Sequence, residues 1–231
     1  MARHFVGSTS EYLRTYKLGL TTYPFTIAAW FYMTTLSGTN RLVIGLFRTD
    51  STADQFVIRV NFATSQLQFR ADAGGASNAT ISSMAAGQWY HVVARGFSAT
   101  DRRVRINNGT DATDTVSKSP AGLGQILFGP AWDAGTFATS PTMVGREQEI
   151  GIWNATLDDQ EIAALYGSGI GTGLSPARIR PGNLVHYWPL EGRHSLEPDY
   201  GLTRAHLQVV GTQPFPHQPV KLALGKTSLV I

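Results

Sequence analysis

Polar and apolar positions alternate along most of this chain with a period of two, the period that sends successive side chains to opposite faces of a strand. Phe25–Met33 alternates large apolar residues with small ones and ends in Thr34-Thr35. Residues 42–47 form a continuous apolar run. Phe56, Ile58, Val60 and Phe62 share one face of the next segment, and Leu67 and Phe69 share one face of residues 67–71. Residues 89–94, 104–107, 125–128, 149–153, Leu184–Trp188 and 205–210 complete the series. Their β-branched and aromatic residues suit strands. Turn residues separate them, at 37–40, 63–65, 73–75, 107–109 and 121–124. Asn108-Gly109 predicts a tight type I′ turn, which needs positive φ at both central residues. Many strands without intervening helices predict an all-β sandwich or barrel.

One helix interrupts the pattern, near 158–166. Asp158 is its N-cap, with Glu161 three residues on as the reciprocal partner of a capping box. Leu157 and Ile162 are placed to form a hydrophobic staple, and Gly167 is the expected C-terminal stop. Residues 167–182 are rich in glycine and proline and read as a connector. The strands at 183–211 are too few for a core of their own, so they must pack on the main body, 1–166. Residues 1–211 therefore form one sandwich. Residues 212–231 form a C-terminal arm: three prolines, then an apolar tail with Val220, Leu222, Leu224, Leu229, Val230 and Ile231. That tail is either the last strand or a contact surface for a neighbouring copy or particle.

Composition narrows the picture. The 231 residues are 42% hydrophobic and 15% charged, enough to bury a full core. A net charge of +3 is too weak a field for nucleic acid, and Arg102-Arg103-x-Arg105 reads as the exposed face of a strand. There is no cysteine, which excludes disulfides and thiolate chemistry. Nothing approaches the length of a membrane span, and residues 1–20 lack the apolar run of a signal peptide. The chain is expected to be made in a cytoplasm.

Several segments, in order, resemble the concanavalin A-like lectin/glucanase superfamily and its laminin-G-like jelly rolls. Residues 2–7 with Tyr12-Leu13 are similar to the family's opening strand. Residues 24–31 (PFTIAAWF), 87–94 (GQWYHVVA) and 102–109 (RRVRINNG) resemble its following strands and hairpin. Val144-Gly-Arg146, residues 149–154 and residues 156–166 (TLDDQEIAALY) resemble its closing strand and short helix. One departure stands out. Residues 182–190 (GNLVHYWPL) and 202–211 (LTRAHLQVVG) resemble a segment that opens most family members, yet here it comes last. The resemblance thus implies a jelly-roll sandwich whose first strands are permuted to the C-terminus. These strands complete either their own sandwich or a neighbour's.

The resemblance also raises sugar chemistry. Glucanases of the superfamily carry acidic residues at alternate positions of one strand, so that nucleophile and acid share a sheet face. Glu147 and Glu149 match in part and are read as sharing a face, but Gly151 and Trp153 follow where a third acid is needed. The two glutamates then read as solvent-facing charges at a strand start. No catalytic residues are assigned. His4, His91, His186, His194, His206 and His217 lack zinc-site spacing, and the strand histidines His91 and His186 read as packed or hydrogen-bonded. Asp50, Asp54, Asp72, Asp101 and Asp133 are loop carboxylates by pattern and do not form a calcium motif. No metal ligands are assigned. Calcium remains the one cofactor the family resemblance implies. Trp132 and Asp133 are the candidate sugar-binding pair, because an aromatic face beside a polar group suits a saccharide. The other tryptophans, Trp30, Trp89, Trp153 and Trp188, read as core.

Two functions follow from the resemblance. The first is a non-catalytic virion protein that decorates or cements the capsid or tail of a tailed phage. Its partners would be the major capsid protein and further copies of itself. The second is a carbohydrate-binding module or lectin for host glycans.

Overall fold

The computed structural model describes residues 2–8, 10–20, 22–36, 40–50, 53–129, 132–133, 136–137 and 143–216, with the backbone alone at 132–133 and 136–137. Eighteen short strands lie among them. In chain order they are β1 (Ala2–Val6), β2 (Tyr12–Thr15), β3 (Phe25–Met33), β4 (Arg41–Arg48), β5 (Asp54–Asn61), β6 (Gln66–Ala73), β7 (Ala76–Ile81), β8 (Trp89–Ser98) and β9 (Asp101–Ile106). The series continues with β10 (Ala112–Asp114), β11 (Leu123–Phe128), β12 (Trp132–Asp133), β13 (Thr136–Phe137), β14 (Val144–Trp153), β15 (Leu184–Trp188), β16 (Leu196–Glu197), β17 (Leu207–Val210) and β18 (Gln213–Phe215). The helix α1 (Asp159–Tyr166) follows β14.

Two antiparallel sheets face each other in a jelly-roll sandwich. The first runs β10-β9-β8-β3-β14-β1-β18, with β15 also paired to β14. The second runs β16-β17-β2-β11-β4-β5-β6-β7. Strand β14 is shared along its length: residues 144–147 pair with β1, and residues 150–153 pair with β15. On the opposite side β17 pairs with β2. The late strands therefore complete the chain's own two sheets.

Alternation in β3 explains the core. Phe25, Ile27, Ala29, Phe31 and Met33 point inward and meet Ile44, Leu46, Phe56, Ile58 and Phe69 of the second sheet. Phe25 and Phe56 pack with ring centroids 4.8 Å apart. The other phase of β3 points outward. There Ala28 joins Val93, Trp153, Leu157, Ile162, Leu165, Ile179, Leu184 and Tyr187 in a second apolar layer, the seat of α1. Apolar burial, rather than intrinsic propensity, must hold so short a helix. The capping box is present: Asp158 accepts from the Glu161 backbone at 2.9 Å and Glu161 accepts from the Asp158 backbone at 2.8 Å.

Buried polar ties fasten the late segment. Arg3 of β1 donates to Glu197 of β16 at 2.5 Å, with both side chains buried. His186 lies 2.8 Å from Asp199 through Nδ1 and 2.6 Å from the Leu18 carbonyl through Nε2. The Asp199 carboxylate also accepts from the backbones of Tyr187, Gly201 and Ala205, each at 2.8 Å. Burial works against its charge, but the His186 and backbone hydrogen bonds outweigh it and hold the carboxyl below its usual range.

Several expectations change. The positive-φ pair of the turn after β9 is Asn107-Asn108 rather than Asn108-Gly109, since the turn closes from Gly109 N–H to the Ile106 carbonyl. The 102–105 arginines are not an exposed face. Arg102 is fully buried on Asp114 at 2.5 Å, and Arg105 is buried on Asp111 at 2.7 Å; Arg103 alone is half exposed. The acids expected in loops lie partly in strands: Asp54 and Asp101 start β5 and β9, and Asp72 lies within β6. Asp50, Asp72 and Asp101 each pair with an arginine two residues away, Arg48, Arg70 and Arg103. No group of three or more metal-type ligands occurs among the described residues. No helix among them is long and apolar enough to cross a membrane.

Candidate functional site

The outer face of the first sheet is half covered. Toward β15 it is sealed by α1 and the segment after it. Toward the other end of β3 it stays open, and there the strand register lines up one row of side chains. Tyr32 stands opposite Trp89 on β8 and opposite Arg146 on β14. Arg146 stands opposite His4 on β1. Directly opposed residues on antiparallel strands have neighbouring Cβ atoms, so these four make a continuous line across four strands. At about 4.8 Å per strand the line spans roughly 14 Å.

The members touch. The Tyr32 and Trp89 rings are 5.7 Å apart. The Arg146 guanidinium lies 4.7 Å from the Tyr32 ring centre and 3.6 Å from that of Phe215, on β18. His4 meets Phe215 edge-on at 5.8 Å. His4, Tyr32, Trp89, Arg146 and Phe215 are all half-buried, so each offers a face or an edge to solvent. Burial first, and then the charge of Arg146, lower the His4 pKa, while Glu11 acts in the opposite direction. The result is a strip of mutually inclined aromatic rings around one guanidinium and a mainly neutral imidazole. Aromatic faces take the C–H side of a sugar ring, and the guanidinium edge donates to oxygen.

Beneath this row lies a buried one. Trp30 stands opposite both His91 and Gln148. Trp30 and His91 are 4.9 Å apart, and Tyr166 of α1 stacks on Trp30 at 5.8 Å. Ala28, Trp30, His91, Glu149, Leu165, Leu174 and Pro176 line a crevice of about 10 Å³, the scale of one water molecule. His91 Nδ1 is buried with no hydrogen-bond partner among the described residues. Burial pushes the ring's pKa down to about 3, so it is neutral. Ser175 donates to Tyr187 at 2.9 Å, and Tyr187 donates to Glu149 at 2.8 Å. Burial, then the Glu149 charge, raise the Tyr187 phenol.

The two glutamates expected to share a face do not. A bulge in β14 falls between Gln148 and Gly151, with Glu149 at φ 54°. It shifts the phase of the strand. Glu147 points into the core, opposite Phe31 and Arg3, while Glu149 turns outward to the crevice. Neither faces solvent: Glu147 is fully buried and Glu149 is 3% exposed. Both Glu147 oxygens lack a hydrogen-bond partner among the described residues, and burial raises its pKa well above the usual carboxylate range. The carboxyl is therefore held neutral. Acids on opposite sheet faces cannot act on one glycosidic bond.

Of the other sequence candidates, β12 and β13 form a separate two-stranded ribbon with Trp132 opposite Phe137. The side chains of Trp132 and Asp133 lie outside the described residues, as do His217, Val220, Leu222, Leu224, Leu229, Val230 and Ile231. His91 and His186 are buried and packed, as read. Trp153 and Trp188 are fully buried. Trp89 is not core: it lies half-buried on the open strip. Trp30 is buried, but on the outer face under Tyr166. Tyr90, Val92 and Ala94 occupy the inward phase, which leaves Trp89 and His91 on the outer face.

Comparisons with known proteins agree with this architecture. No curated protein matches the chain. Among solved structures, the native heptameric SAP-like pentraxin of Limulus polyphemus aligns with a TM-score of 0.58 at 16% identity, over 71% of this chain and 80% of that one. The CBM40 of Ruminococcus gnavus IT-sialidase, bound to α2,3 sialyllactose, aligns with a TM-score of 0.54 at 13% identity, over 72% and 98%. Domains LG4-5 of mouse laminin α1 align with a TM-score of 0.52 at 17% identity, over 65% and 40%. At these identities the likeness is one of fold. The model of one family matches residues 7–163, well over half of the chain, and so this chain belongs to the concanavalin A-like lectin/glucanases superfamily.

Proposed function

We propose that this chain is a non-catalytic carbohydrate-binding module whose ligand lies along the open strip of Trp89, Tyr32, Arg146 and His4. One observation carries the reading: a register-aligned line of half-buried aromatics and a guanidinium across four neighbouring strands of the first sheet. The superfamily supports it, as does the likeness of fold to a sialidase carbohydrate-binding module. No bound metal is invoked, because Asp50, Asp72 and Asp101 are already engaged by arginines. A glycan array with and without calcium, followed by calorimetry on the best ligand, tests the reading. Trp89→Ala is expected to weaken binding about tenfold, the order of one lost aromatic contact. Absence of any glycan binding by the wild-type chain would sink the proposal.

A second reading has its own support. The segment after Gly211 adds β18 to the edge of the first sheet, beside β1, and leads into the apolar tail. A tail that continues from an edge strand suits strand addition to a neighbour. On this reading the chain is a virion structural protein, made in a bacterial cytoplasm, that decorates or cements a tailed-phage capsid or tail as a homo-oligomer. The two readings are compatible. Native mass spectrometry of the full chain and of a chain ending at residue 216, with co-sedimentation on phage heads and tails, tests it. A full chain that is strictly monomeric and sediments with neither would overturn this second reading.

A further inference from the structure

The charge arrangement around Arg146 narrows the ligand. Eight other arginines (Arg3, Arg48, Arg70, Arg95, Arg102, Arg103, Arg105 and Arg180) each hold a carboxylate within salt-bridge distance. Arg146, like Arg41, Arg59, Arg178, Arg193 and Arg204, holds none among the described residues. Its Nε is buried without a hydrogen-bond partner, and its planar head lies against the rings of Phe215 and Tyr32. Stacking occupies a guanidinium's faces and leaves its in-plane N–H groups available at the edge. Those groups match the two oxygens of a carboxylate in a bidentate fork.

The described residues around it do not supply that carboxylate. Glu147, the adjacent residue, points into the core as a neutral acid. Glu149 accepts from Tyr187 in the sealed crevice. Glu11 accepts from the backbone N–H groups of Val6, Gly7 and Ser8 at 2.9, 3.0 and 3.1 Å. The line thus holds one permanent positive charge, flanked by aromatic side chains and without a counter-ion among the described residues.

We infer that the open strip selects an acidic saccharide, with Arg146 receiving the sugar carboxylate while Tyr32 and Trp89 pack against the ring faces. This inference rests on the carbohydrate-binding reading and adds the ligand's charge to it. Calorimetry with two matched pairs tests it. One pair is a galacturonic acid trisaccharide and its carboxyl-reduced counterpart; the other is sialyllactose and lactose. The acidic member of at least one pair is expected to bind at least tenfold tighter than its neutral partner. Arg146→Met keeps the packed stem and removes the charge, and it should bring acidic binding down to the neutral level. Arg146→Lys should restore part of the preference, because a point charge attracts the carboxylate without the fork. Circular dichroism checks that the variants fold. If the wild-type chain binds neutral and acidic glycans equally, or if Arg146→Met keeps the preference, the inference fails and the carbohydrate-binding reading stands. If the chain binds none of the four probes and is also silent on the glycan array, both fail together.

Discussion

The two halves of one sheet face are built from the same three strands, β3, β8 and β14, and end in opposite states. In the sealed half, Ala28, Val93 and Trp153 lie under α1, and Trp153 Nε1 donates to the Ile179 carbonyl at 2.7 Å. Gly151 leaves room for that indole, since a Cβ there would stand 2.4 Å from its ring. Arg95 and Arg105 both reach Asp111 and Asp159. In the open half, Tyr32 and Trp89 stay half-exposed and Arg146 has rings for neighbours in place of acids. The contrast separates two uses of the same residue types. Where aromatics are covered and guanidinium groups are matched, they hold the fold. Where neither is done, as on the strip proposed to bind a glycan, aromatic side chains and a guanidinium stay half-exposed.

The largest test of this contrast is a pair of tryptophans. Trp153→Ala removes a fully buried ring and should cost about 3–5 kcal/mol in urea unfolding, whereas Trp89→Ala should cost under about 1 kcal/mol. Equal losses would break the distinction between the halves. Arginines give a smaller difference. Arg95→Ala strips a buried partner from Asp111 and should cost about 2–3 kcal/mol, tempered because Arg105 remains there. Arg146→Ala loses ring contacts but no ion pair among the described residues and should cost about 1 kcal/mol.

Glu147 lies in the core beneath the open strip and has a pH signature. Its pKa is raised in the folded chain, so the folded state binds the extra proton above the ordinary carboxylate pKa of about 4.5. Stability should therefore fall as pH rises from there toward the folded pKa. Glu147→Gln should flatten that slope in denaturation curves recorded between pH 4.5 and 8, and a slope unchanged in the variant would remove Glu147 as its source. The smallest effect concerns His4. An anion seated on Arg146 cancels one of the causes that lower its pKa, so binding takes up protons. Affinity for an acidic glycan should rise a few-fold from pH 8 to pH 5, and His4→Gln should abolish the rise.

Much of this architecture was legible in local pattern. The alternation of Phe25–Met33 identifies the central strand, and Asp158 with Glu161 marks the helix start to the residue. Local pattern failed where a distant partner decides. Arg102 is buried because Asp114 and the carbonyls of Ala99 and Val116 surround it, and nothing in Arg102-Arg103-x-Arg105 announces them. The phase of residues 89–94 was readable, but both phases are apolar, so which one meets the core depends on the opposing sheet. The bulge at Glu149 has no local signature, because positive φ there falls on a residue that does not favour it. The open strip joins β8, β3, β14, β1 and β18, five strands scattered over the whole chain. Only strand register brings its members together.

The pairing of the first strand also sets an order of assembly. Ala2–Val6 is made well before its partners, β14 and β18. Tyr12–Thr15 likewise waits for β11 and then β17. Both strands must stay unpaired, with Phe5 and Leu13 uncovered, until those later strands are made. Nascent chains halted before β14 should therefore be open to proteases and to one another.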